Sequence, residues 1–324
     1  MNNQEPTGGI SAARAPNTRS TGTIDPAGVK QGWVRRVASR YPLAAFLVIV
    51  FGLSYPLMSI PILAQYDVIP GKSLPPRLGL DMERAASVVL VLSLVVATFV
   101  VTALVDGKQG TRALLRRMGR WRVGVVWWLI AAAAMPLTTI TLAVLLGDSA
   151  SLPSTRVIAG EVLSIAIALF LINLWEEAAW AGFLQARLER RHNFFIAAAL
   201  TAVPFAAVHL PLRIITGEAT TPAALGLTLL GVSALGILFR SMIGMVQRGA
   251  RNSILLAATV HTFFNRSNNV DGIAADVLEG NNRMLAALLA MLVIVVVLGI
   301  CIRKRLTLAY RANLDAAEGD SPKH

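Results

Sequence analysis

The sequence predicts an all-α, polytopic membrane protein, with about eight transmembrane helices around a polar intramembrane cavity. Three observations predict it. The 324-residue chain is 55% hydrophobic and only 15% charged. Its apolar runs repeatedly approach or exceed the ~20 residues that cross a bilayer. In and beside those runs stand a pair of adjacent carboxylates and two histidines, and ionisable groups at membrane depth face the bundle interior or a wet cavity.

Taken in order, residues 1–41 read as a cytoplasmic tail. Up to about residue 30 they are rich in Asn, Thr, Ser, Gly and Pro, which predicts disorder. The first long apolar run starts some forty residues in, so no signal peptide is expected. Trp33, Arg35, Arg36, Arg40 and Tyr41 then mix basic and aromatic side chains just before the membrane, the composition of an interfacial anchor. Eight apolar segments follow, at 42–64, 85–105, 123–146, 157–174, 194–211, 222–246, 253–264 and 284–302. They make one transmembrane domain, 42–302, in which the seventh segment is short for a span. Residues 303–324 read as a second cytoplasmic tail. No internal repeat is visible, which argues against the paired halves of a transporter.

Lys and Arg set the orientation. The two tails and the loops at 108–122, 187–191 and 248–251 hold 22 of the 30 basic residues, and the opposite loops hold 7. This predicts a multi-pass protein of the cell membrane with both termini cytoplasmic, a parity that eight spans allow. The basic residues line membrane edges, so the net charge of +12 implies the lipid bilayer as partner and no nucleic acid. The single cysteine, Cys301, ends the last apolar run. It excludes a disulfide framework and reads as membrane packing, with palmitoylation as the alternative.

Five polar residues carry the chemistry. Glu176 and Glu177 follow the fourth segment directly, so they either lie in water at a helix end or form a site within the membrane. His209 stands four residues after Phe205, and His261 four before Asn265, each pair on one helical face. The other histidines, His192 in a basic loop and His324 at the last residue, read as solvated. A carboxylate in a partly dry pocket can take a proton from water, and a histidine beside it can share that proton. A second histidine with an amide donor can stabilise an oxyanion. No G-x-S-x-G appears, and nothing suggests a serine or cysteine nucleophile.

At these residues the chain resembles the CAAX-protease and bacteriocin-processing family of intramembrane proteases. That family is recognised by E-E-x-x-x-R, F-x-x-x-H and H-x-x-x-N on successive helices. Here they read Glu176-Glu177-Ala178-Ala179-Trp180-Ala181, Phe205-Ala206-Ala207-Val208-His209 and His261-Thr262-Phe263-Phe264-Asn265, within a core of 157–265. The lead-in around Arg112, Arg116, Arg117, Trp121 and Trp127 also looks like bacterial members. The resemblance implies an endopeptidase acting on a membrane-associated protein or peptide. It assigns water activation to Glu176 with His209, oxyanion stabilisation to His261 and Asn265, and a supporting role to Glu177. No cofactor is expected; zinc held by a glutamate and two histidines is the alternative, although no H-E-x-x-H is present.

One position departs from the motif: Ala181 stands where the family has arginine, one turn from Glu177. Glu177 thereby loses a counter-charge, which a membrane carboxylate needs. Either catalysis tolerates the loss, another cation substitutes, or the protein is a non-proteolytic scaffold, immunity factor or regulator that keeps the cavity. Arg240, inside the sixth apolar segment, is the candidate substitute. It either reaches Glu177 across the bundle or marks the cytoplasmic border of its own helix.

Overall fold

The computed structural model describes residues 32–71, 77 and 81–319; the expected disordered stretch before residue 32 lies outside them. The described elements are α1 Trp33–Arg40, α2 Pro42–Gln65, α3 Met82–Met118, α4 Val125–Leu145, β1 Ser149–Ala150, α5 Thr155–Leu188, α6 Phe194–Ile215, α7 Pro222–Gly249, α8 Ile254–Asn268, α9 Ile273–Val277, β2 Leu278–Glu279 and α10 Arg283–Gly319. The fold is all-α, β1 and β2 forming only a two-residue antiparallel pair. Seven of the described helices are long and apolar enough to cross a membrane: α2 to α7 and α10.

The seventh expected segment is α8, with 15 residues. At about 1.5 Å per residue it reaches roughly 22 Å, short of the roughly 30 Å hydrocarbon core. It nevertheless joins the two ends of the bundle. At its start Ser253 Oγ donates to the Arg120 carbonyl, between α3 and α4. Beyond its end, β2 pairs with β1, which follows α4. The first turn of α4, at Val126 and Trp127, lies beside Cys301 and Ile302 of α10, and Arg35 of α1 donates to the Leu104 carbonyl of α3. α1 and the Cys301–Ile302 turn of α10 therefore lie at one end of the bundle.

Polar side chains define where the helices begin. Asp81, Ser154, Asn193, Thr221 and Ser253 each accept a hydrogen bond from a first-turn backbone N–H of α3, α5, α6, α7 and α8, satisfying a donor that has no partner within the helix. Two boundaries differ from the sequence reading. α3 runs on beyond the apolar segment but breaks at Gly107, whose φ of 63° is accessible to glycine without steric cost. The basic stretch after it is therefore a short helix rather than a loop. α10 likewise continues past residue 302 to Gly319, because nothing in that stretch, free of Gly and Pro until its end, stops a helix.

The main difference lies in α5. The fourth apolar segment ends at 174 in the sequence, yet the helix continues to Leu188. Glu176 and Glu177 are thus in mid-helix, not at an end in water. Two π-helical stretches, Ala168–Asn173 and Ala178–Gln185, flank the turn that carries the pair. Such widened turns concentrate at functional sites because they re-aim side chains and loosen backbone pairing. Arg117 on α3 donates from Nη1 to the Gly182 carbonyl in the second stretch. Gly182 itself allows the close approach, since a Cβ there would lie 2.7 Å from Ile254 Cδ1 and 3.0 Å from Leu114 Cδ1.

Candidate active site

Three helices bring the site together. The central turn of α5 supplies Glu176 and Glu177, the middle of α8 supplies His261, and α7 supplies Arg240. Glu177 and Arg240 are fully buried, and His261 and Glu176 keep only 4% and 6% exposure.

Arg240 grips Glu177 with both arms of its guanidinium. Nη1 donates to Oε1 at 2.8 Å and Nη2 to Oε2 at 3.0 Å, the bidentate geometry in which arginine–carboxylate hydrogen bonds are strongest. Its Nε points to Gln185 Oε1 at 3.4 Å. The expected compensation is therefore present in the structure. The rival reading of Arg240 as a border residue fails because α7 continues to Gly249, about 13 Å further at 1.5 Å per residue.

Glu177 Oε1 also meets His261 Nδ1 at 2.9 Å. A carboxylate gripped in this way can only accept, so Nδ1 carries the proton and donates. The other ring nitrogen, Nε2, faces Glu176 Oε2 at 3.9 Å. The two glutamates are thus differentiated. Both oxygens of Glu177 are held, whereas Glu176 makes no hydrogen bond within the described residues and lies against the imidazole.

His209 sits on α6, half-buried, with Nδ1 2.6 Å from the Phe205 carbonyl. A carbonyl accepts only, so Nδ1 is again protonated and Nε2 of the neutral ring carries the lone pair. α6 is fixed near this residue by Tyr55. Pro211 has no N–H to offer the Ala207 carbonyl, and Tyr55 Oη donates to that carbonyl instead, at 2.8 Å. Phe205 links the two histidines, its ring 4.6 Å from that of His209 and 6.3 Å from that of His261. Phe239 packs edge-on to His261 at 4.9 Å and against Phe264 at 4.4 Å. These rings pack around the histidines, and apolar surroundings strengthen the electrostatic contacts within a buried site.

Of the five sequence-derived candidates, Glu176, Glu177 and His261 therefore meet directly. His209 joins them through Phe205 and, among the described residues, has no nitrogen within 4 Å of a carboxylate oxygen. Asn265 lies one turn beyond His261 on α8, half-buried, its side-chain amide unpaired among the described residues. No group of three or more His, Cys, Asp or Glu side chains is placed to hold a metal ion among the described residues. The described residues thus form no ready zinc set.

Sequence reasoning missed three supporting residues. Gln185 accepts from Arg240 and donates to Glu189 Oε1 at 3.1 Å. Asn173 donates to Thr262 Oγ1 at 2.8 Å, tying α5 to α8 beside His261. Both are polar residues on apolar stretches of one helix, four before and eight after Glu177, and that spacing was the available signal. Tyr55 had no comparable signal, because only the tertiary fold places it against Pro211.

Residues 158–267 match a family model described as type II CAAX prenyl endopeptidase Rce1-like. The match covers about a third of the chain and includes every residue of the site except Tyr55. It bears out the resemblance seen in the motifs: over these residues the chain is similar to CAAX-type endopeptidases, and its seven long apolar helices make it a multi-pass membrane protein. No curated protein and no solved structure matches the chain.

Proposed function

We propose that the protein is an intramembrane endopeptidase in which Glu176 activates water to attack a peptide bond of a membrane-associated protein or peptide. One observation carries this reading: of two adjacent buried carboxylates, Glu177 is fully engaged by Arg240 and His261, while Glu176 has no hydrogen bond among the described residues and lies against His261 Nε2. The first is a fixed support, and the second is free to exchange a proton. The family match supports peptide hydrolysis as the reaction class.

The chemistry follows from those positions. Water donates one proton to Glu176 as its oxygen bonds to the scissile carbonyl carbon, and His209 Nε2 accepts the hydrogen bond that orients it. The carbonyl π electrons move to oxygen, giving a tetrahedral oxyanion that donors from Asn265 and His261 stabilise. His261 can donate from Nε2 only as imidazolium, and the Glu177 carboxylate on Nδ1 supports that charge. Collapse of the intermediate returns a proton from Glu176 to the leaving amine and breaks the C–N bond. The substitution at Ala181 favoured a non-proteolytic relative only while Glu177 lacked a cation. With Arg240 in place that argument no longer applies. The distribution of basic residues supports a cell-membrane protein with both termini in the cytoplasm.

The test is hydrolysis of a membrane-anchored peptide library by purified protein in liposomes. Cleavage that disappears in Glu176→Ala supports the reading. A wild-type protein that cleaves nothing, or a Glu176→Ala variant that cleaves equally well, overturns it.

A further inference from the structure

We infer that Arg240 has taken over, from a different helix, the task of the motif arginine missing at position 181, and that this task is to fix the tautomer of His261 through Glu177. The inference rests on the hydrolase reading for its catalytic meaning, but its structural content stands apart from turnover. Ala181 is fully buried and offers Glu177 no cation, and Arg240 from α7 holds that carboxylate instead. Arg240 cannot reach an interface from mid-helix, and a buried guanidinium without a partner costs several kcal/mol. The pair is not explained by stability, because apolar residues of similar volume commonly serve a buried site as well or better.

What the ion pair supplies is direction. The planar fork pins both carboxylate oxygens, leaving Oε1 aimed at His261 Nδ1. A lysine, with one point charge, cannot hold both. Gln185 steadies the third guanidinium nitrogen and is itself held by Glu189, which pairs with Arg248 nearer the end of α7. Gly244 on α7 makes room for this arrangement, since a Cβ there would lie 2.5 Å from Gln185 Nε2. A continuous polar chain thus runs from Arg248 to His261 and delivers one consequence: Nδ1 is the protonated nitrogen, and Nε2 faces Glu176.

The experiment is NMR of histidine ¹⁵N-labelled protein in lipid nanodiscs, with His261 assigned by its loss in His261→Gln. Wild type should show Nδ1 protonated. Arg240→Ala should lose that preference, Arg240→Lys should recover it only in part, and Arg240→Ala with Ala181→Arg should restore it, the new arginine using the vacated volume. An unchanged His261 signature in Arg240→Ala overturns the inference, and failure of the Ala181→Arg rescue overturns the relocation. If Arg240→Ala does not fold, Arg240→Met with Glu177→Leu removes both charges together and leaves none unpaired. There too, retention of the Nδ1-protonated form overturns the inference. None of these readouts requires peptide cleavage, so a protein that proves not to be a peptidase leaves the test intact.

Discussion

Glu161→Gln should free the outer part of α5 while leaving the rest of the bundle folded. In the first segment of that helix, Thr155–Ile167, Glu161 is the only buried residue. It is buried by Arg266 of α8, whose Nε donates to Oε2 at 3.1 Å while Nη2 takes Oε1. Arg266 also holds the Asp271 carbonyl and lies 3.5 Å from the Asp271 carboxylate, which is 63% exposed. Removing one partner of a buried pair costs about 3–5 kcal/mol, and the exposed Asp271 offsets at most about 1 kcal/mol of it. At least about 2 kcal/mol remains, roughly a thirtyfold rise in the detached population. Spin labels at Arg156 and Val270, both exposed, would report it by dipolar spectroscopy in nanodiscs. Wild type should give one narrow distance distribution and the variant an added broad one, with the melting temperature of the whole protein little changed. An unchanged distribution, or a collapse of the entire fold, would refute the idea that this pair tethers the segment.

Other predictions concern the site and its frame. Asn265→Ala should lower kcat by about 10²–10³ with a small effect on melting, checked by kinetics and calorimetry of the same preparation. Gly244→Ala should displace Gln185 or Phe194, whose Cε2 would lie 2.9 Å from the new Cβ, and should lower melting temperature measurably more than Gly231→Ala on the same helix, where the space is open. Tags at both termini should be protected from impermeant reagents in intact cells, whereas cysteines placed at Gly217 and Val270 should label.

Much of this was legible in the sequence because membrane depth makes polar residues rare. The glutamate pair, the two histidines and Arg240 stood out against apolar runs, and the missing cation at Ala181 pointed to its replacement. The segments were legible for the same reason, although their ends were not. A π-helical turn differs from an α-helical one by about one residue per turn, and apolar residues on both sides of Glu176 give no periodicity by which to see it. The burial of Glu176 and Glu177 depended on α5 continuing to Leu188, across a stretch with no charged residue before Arg187 that could have been a loop equally well. Gln185 and Tyr55 act through residues distant in sequence, and their partners exist only once α5, α6 and α7 have packed.

Direct attack by water held at Glu176 leaves a kinetic and an isotopic signature. The measurement is a pre-steady-state time course of peptide cleavage by the reconstituted protein in H₂¹⁸O, for wild type and Glu176→Gln. Both fragments should appear together without a burst, the new carboxylate should carry one solvent oxygen, and Glu176→Gln should slow the reaction by about 10²–10⁴. A burst of the amine fragment with the other half bound covalently to the protein, or a Glu176→Gln variant as fast as wild type, would contradict it.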